Sequence, residues 1–230
     1  MASIRDKLNN KEIIIGSWIT LPDPSIVEIM AKAGFDWLTI DMEHSSLSMN
    51  QAQELIRIIN LSNCVPLVRV MDNNPATIKR FMDMGAYGII VPRVNTKEDA
   101  KNAVDAVKYP PIGTRGVGLF RAQNYSLDLD TYQKWNENES IVIVQIEDIK
   151  AIDNLDSIIE VEGVDGFIVG PYDLSASIGH PGDFNNSSVL KAFRLLEKYI
   201  DSCPKSWGYH VVNPEPDEVI DKINMGYTFI

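Results

Sequence analysis

Strand-length apolar runs alternate with helix-period segments along the whole of this 230-residue chain, and that alternation limits the fold more than any other feature. Read by period, strands are predicted near 13–18, 36–41, 65–70, 87–92, 141–147, 165–170, 206–212 and 226–230. Helices are predicted between them near 24–34, 50–62, 75–85, 96–108, 150–160, 189–202 and 215–225. Several helix starts carry the expected signals: Asp23-Pro24, Asn74-Pro75, and Thr96 with Asp99 three residues later. Gly34 and Gly85 stand where helices stop before the next strand. Runs such as Ile141-Val142-Ile143-Val144 have no alternating polar positions, the pattern of a parallel strand covered on both faces. Eight strands in strict βα order within about 250 residues predict an α/β chain folded as one (β/α)8 TIM barrel over residues 1–230. The sequence stops inside the eighth run, so this barrel is predicted with its eighth helix missing.

Composition narrows the partners. With 21 basic and 32 acidic side chains the net charge is −11, which disfavours nucleic acid and anionic membrane surfaces. No apolar run approaches the roughly 20 residues of a membrane span. Cys64 and Cys203 form no CxxC spacing, and no basic-then-apolar leader opens the chain, so a cytoplasmic location is expected. Residues 109–140 exceed an ordinary connection, which predicts a functional loop over the barrel mouth with a short helix near 128–136.

Barrel chemistry collects at the C-terminal ends of strands. Strand two ends in Asp41-Met42-Glu43-His44, strand three in Arg69, strand five in Gln145-Ile146-Glu147 and strand six in Gly170-Pro171-Tyr172-Asp173. Glu147 and Asp173, one βα unit apart, could share a divalent cation such as Mg, Mn or Co. Equally, each could cap a helix or pair with a cation. His44 could act as a general base or simply be a hydrogen-bonded loop residue. Arg69 lies inside an apolar run and needs an anion, either a substrate or a structural carboxylate. Arg115, in the glycine-rich stretch 113–118, could clamp substrate or face solvent. No lysine falls in a predicted strand or at its C-terminal tip, Lys150 on the next helix aside, so a Schiff base lacks a nucleophile.

The motifs FDWLTIDMEH (35–44), PLVR (66–69), YPPIGTRGVG (109–118), QIE (145–147) and GPYDLS (170–175), with the run 78–86, resemble the HpcH/HpaI aldolases, the class II pyruvate aldolases. The resemblance implies a carbon–carbon lyase joining or splitting a 2-keto acid and an aldehyde. It implies a divalent metal on Glu147 and Asp173, His44 as base, and Arg69 on the keto oxygen. By the same resemblance Asp83 pairs with His44, while Gln145, Gly170 and the backbone at Tyr172 and Asp173 bind the pyruvate part. Trp18 then lines the pocket, Tyr172 replaces a small residue beside the carboxylates, and the chain forms a homo-oligomer. Two other functions fit a barrel of this kind: a CoA-thioester lyase of the citrate lyase β type, and a non-catalytic keto-acid binder. The net charge of −11 speaks against the first, because CoA phosphates want a basic groove.

Overall fold

The structure is a computed structural model that describes residues 3–213 and 215–230. Its first half comprises α1 (Ile4–Asn9), β1 (Gly16–Ile19), α2 (Pro24–Lys32), β2 (Trp37–Asp41), α3 (Met49–Leu61), β3 (Val65–Arg69), α4 (Pro75–Met84), β4 (Gly88–Val91) and α5 (Lys97–Val107). A 3-10 turn over Arg121–Ser126 leads to α6 (Leu129–Asn138) and β5 (Ile141–Ile146). After these come α7 (Ile149–Asp153), α8 (Leu155–Ile159), β6 (Gly166–Val169), α9 (Pro171–Ser177), α10 (Ser187–Ser202), β7 (Ser206–Tyr209) and α11 (Pro216–Asn224).

The seven strands form one parallel sheet in chain order, a TIM-like α/β arrangement. An eighth strand was expected over 226–230; the structure has only isolated bridges there, from Phe229 to Ile14 and to Gly208. The amide of Ile14 donates to Thr228 O (2.8 Å), and that of Tyr209 to Phe229 O (3.1 Å). The curled sheet thus brings β1 and β7 to the same short segment, which places their C-terminal ends side by side.

Two apolar layers follow from the strand pattern. Inward side chains Trp37, Leu67, Ile90, Ile141, Ile143, Ile168 and Phe229 pack with Ile4 and Leu8 of α1, which stops the N-terminal end of the barrel. Outward ones, among them Leu38, Ile40, Val68, Ile89, Val142 and Phe167, pack against the helices. Gly16 is required by this packing, since a Cβ there would lie 2.0 Å from the Trp37 indole. The Asp23 and Asn74 caps and the Thr96–Asp99 capping box form as their residue types dictate. The helix expected over 150–160 is split at Asn154 into α7 and α8. No described helix is long and apolar enough to cross a membrane.

Residues 109–140 do not cover the mouth. They connect the end of α5 to the start of β5, so they lie at the N-terminal end of the barrel. The expected helix is α6, and buried Lys108 ties it down by donating to the Asn136 and Ser140 carbonyls, both at 2.8 Å.

Candidate active site

Each helix runs back along the strand before it, so only strand ends and the loops directly after them reach the mouth. β2 and β3 are registered with Asp41 opposite Arg69, which sets their side chains together. The Arg69 guanidinium forks onto Asp41, with Nε 2.9 Å from Oδ1 and Nη2 2.6 Å from Oδ2. Both residues are buried. Burial alone would raise the Asp41 carboxyl, but the Arg69 fork and the amides of His44 and Glu43 outweigh it and hold the group below its ordinary range. Arg69 therefore has the structural partner that the sequence left open. Two of its nitrogens serve that pair, and Nη1 has no hydrogen bond to any described residue.

Glu43 extends the cluster. Its Oε2 lies 3.6 Å from Arg69 Nε and 3.8 Å from His44 Nε2, yet makes no hydrogen bond. Burial raises its carboxyl against the pull of Arg69. His44 itself is held by its backbone, whose amide donates to Asp41 Oδ1 at 3.2 Å, while its ring is exposed.

Glu147 follows β5. The helix-cap role open to it falls instead to Asp148, whose side chain accepts from the Lys150 amide. Glu147 accepts from the Arg93 amide at 2.6 Å and from the Gln145 side chain. Burial pushes its carboxyl up to about 7; these two donors pull the other way, and the charges of Glu43 and Asp173 add to the rise. Gly170 is needed beside it, because a Cβ there would approach Glu147 Oε2 to 2.9 Å and Gln145 Nε2 to 3.0 Å. Glu43, His44, Arg93, Glu147 and Asp173 line one cleft of about 500 Å³.

Trp18 stands at the rim. The Arg69 guanidinium sits 4.6 Å from its ring, and His210 stacks on it at 4.4 Å and 22°. Tyr172 points the other way, into a neighbouring cavity of about 450 Å³, where its ring meets Phe184 edge-on at 5.1 Å. His210 opens onto the same cavity.

Two expected site residues are elsewhere. Asp83 lies one residue before the end of α4, a helix that carries it roughly 13 Å back from the mouth at 1.5 Å per residue. There it accepts from Arg115 Nη2 at 2.5 Å and from Gln123, and no hydrogen bond or ion pair joins it to His44. Arg115 is buried, donates to the Tyr132 hydroxyl at 3.1 Å, and stacks 4.7 Å from the Tyr109 ring. Within this chain it fastens the 109–140 segment at the N-terminal end and is no clamp over the mouth. Arg93 and His210 carried no expectation; the available signals were a polar residue just past the run 87–92 for the first and a polar residue within the run 206–212 for the second.

The sequence profile described as HpcH/HpaI aldolase/citrate lyase matches residues 15–205. The chain belongs to the HpcH/HpaI aldolase family. It is 37% identical over 221 residues to the 5-keto-4-deoxy-D-glucarate aldolase of Escherichia coli, covering 96% of this chain and 85% of that one. A solved HpcH/HpaI aldolase/citrate lyase family protein from Burkholderia cenocepacia superposes with a TM-score of 0.92 at 31% identity, over 99% of this chain and 90% of that one. A solved citrate synthase superposes at 0.86 with 28% identity, over 99% and 89%. This HpcH/HpaI chain is accordingly an enzyme of the lyase class.

Whether the mouth suits the divalent metal general to the family is a question of donor chemistry. Glu147 and Asp173 offer hard carboxylate oxygens on one cleft, and the buried Glu147 lacks a cation of its own. Among the described residues no group of three or more His, Cys, Asp or Glu is gathered that could hold an ion, so a cation here would have only these two carboxylates from the chain.

Proposed function

We propose that this HpcH/HpaI enzyme is a class II aldolase that splits a 4-hydroxy-2-oxo acid into pyruvate and an aldehyde, and reverses that reaction, with a divalent cation on Glu147 and Asp173. The observation that carries the reading is the buried Glu147 carboxylate, set on the same cleft as Asp173 and Glu43 with no cationic side chain bonded to it. The name of the Escherichia coli relative supports a hydroxylated keto-acid substrate. When bound, the cation supplies Lewis-acid polarisation of the 2-oxo acid.

The chain's own residues do the rest. His44 takes the proton of the C4 hydroxyl; the C3–C4 bond breaks, its electron pair passes to the keto acid fragment, and the aldehyde leaves. Arg69 Nη1 meets the enolate oxygen, while the Asp41 fork holds the guanidinium still, so little reorganisation accompanies the charge that develops. A proton returned to C3 gives pyruvate. Gln145 and the backbone at Gly170, Tyr172 and Asp173 orient the carboxylate end, and Trp18 walls the pocket. This reading includes the (β/α)8 barrel architecture, a cytoplasmic enzyme and association of copies of the chain. Exposed Ile26 and Ile29 of α2 and Ile220 of α11 supply apolar surface for that association.

Pyruvate release from a racemic 4-hydroxy-2-oxo acid, coupled to lactate dehydrogenase, tests the proposal. Release is expected with added Mn or Mg, falling at least about 100-fold in chelator and returning with metal. Equal release in chelator would remove the metal from the account.

A further inference from the structure

We propose that His210 is a specificity-determining residue that reads the hydroxyl group next to the carbonyl of the acceptor aldehyde; the inference deepens the aldolase reading and rests on it. His210 directly follows β7, with its amide donating to Val169 O at 3.2 Å, one residue before the Gly170–Asp173 turn. Its ring stacks on Trp18, and the Trp18 ring also carries the Arg69 guanidinium. The imidazole therefore shares the Trp18 ring with the enolate-stabilising arginine and lines the cavity together with Tyr172 and Phe184.

A leucine or phenylalanine would fill a half-buried place against an indole equally well, so what histidine adds there is its pair of polar ring nitrogens. Neither ring nitrogen has a hydrogen bond to any described residue, so they are left for a ligand in the cavity. Burial, with the nearby Arg69 charge, pushes the ring down to about 4, which keeps it neutral at working pH. A neutral imidazole offers one donor and one acceptor, the complement of an aliphatic hydroxyl. A site built to bond a hydroxyl rejects the analogue in which methyl replaces it, because the polar group of the site is then left unpaired.

Glycolaldehyde and propionaldehyde differ by that replacement and are nearly equal in size. The test is their kcat/KM with pyruvate in the parent enzyme, His210→Leu and His210→Gln, with deuterium exchange of the pyruvate methyl group in the absence of aldehyde as the second readout. The parent is expected to prefer glycolaldehyde. In His210→Leu the preference falls about 10- to 100-fold, mainly through the KM for glycolaldehyde, and His210→Gln recovers part of it. Exchange, which needs no aldehyde, continues in both variants. An unchanged preference in His210→Leu, or an equal fall for both aldehydes with exchange intact, would overturn the assignment alone. Absence of exchange in the parent would overturn the aldolase reading and this inference with it.

Discussion

Glu147→Gln is expected to abolish pyruvate release, by at least about 10³-fold, and at the same time to stabilise the metal-free protein above neutral pH. Both effects have one origin. A glutamine keeps the shape and the Arg93 contact but no longer offers an anionic oxygen to a cation. In chelator, the parent carries a buried carboxylate whose proton is retained up to about 7, against an ordinary value of 4.5. Between those values the folded chain binds more protons than the unfolded one, so stability falls as pH rises, and the loss is complete above the folded value. The glutamine variant lacks this slope. Its melting temperature in chelator is therefore expected to match that of the parent near pH 4.5 and to exceed it by roughly 10 °C at pH 8. Added Mn should raise only the parent. Thermal melts across pH, with and without chelator, check each part; a variant that is less stable than the parent at pH 8 in chelator would show that Glu147 is paired after all.

Arg69 gives the second large effect. Arg69→Lys keeps a charge but loses the planar fork, so it cannot hold both Asp41 oxygens and also present a nitrogen to the enolate. kcat/KM should fall about 10²- to 10³-fold. Arg69→Ala removes the charge as well and strands buried Asp41, which costs about 3–5 kcal/mol of stability. Urea unfolding separates the two: loss of activity with a nearly unchanged midpoint in the lysine variant identifies catalysis, whereas retained activity would leave Arg69 as the partner of Asp41 only.

Much of this architecture was legible because period and strand order are local. The strands at 36–41, 65–70 and 141–147 each lie within one residue of those observed, and Glu43, His44 and Glu147, just past the first and third, line the mouth. What escaped was direction and closure. The length of 109–140 suggested a lid, but the direction of α5 determines which end of the barrel it occupies, and that end is the N-terminal one. The same geometry takes Asp83 to Arg115 rather than to His44. α1 is six residues with two apolar contacts, too short to announce itself by period. His210 meets Trp18 only because the 228–230 segment brings β7 beside β1, a pairing that spans nearly the whole chain.

The cleft lined by Glu147 and Asp173, with Arg69 beside its Glu43 wall, is expected to draw a proton from the methyl group of a 2-keto acid. Proton NMR of pyruvate in deuterated buffer measures this directly. The account predicts loss of the methyl signal with enzyme and Mg or another diamagnetic divalent ion, and a signal that persists in chelator and in Glu147→Gln. A methyl resonance that stays intact with the metal-loaded parent enzyme, or one that decays equally in chelator, would contradict it.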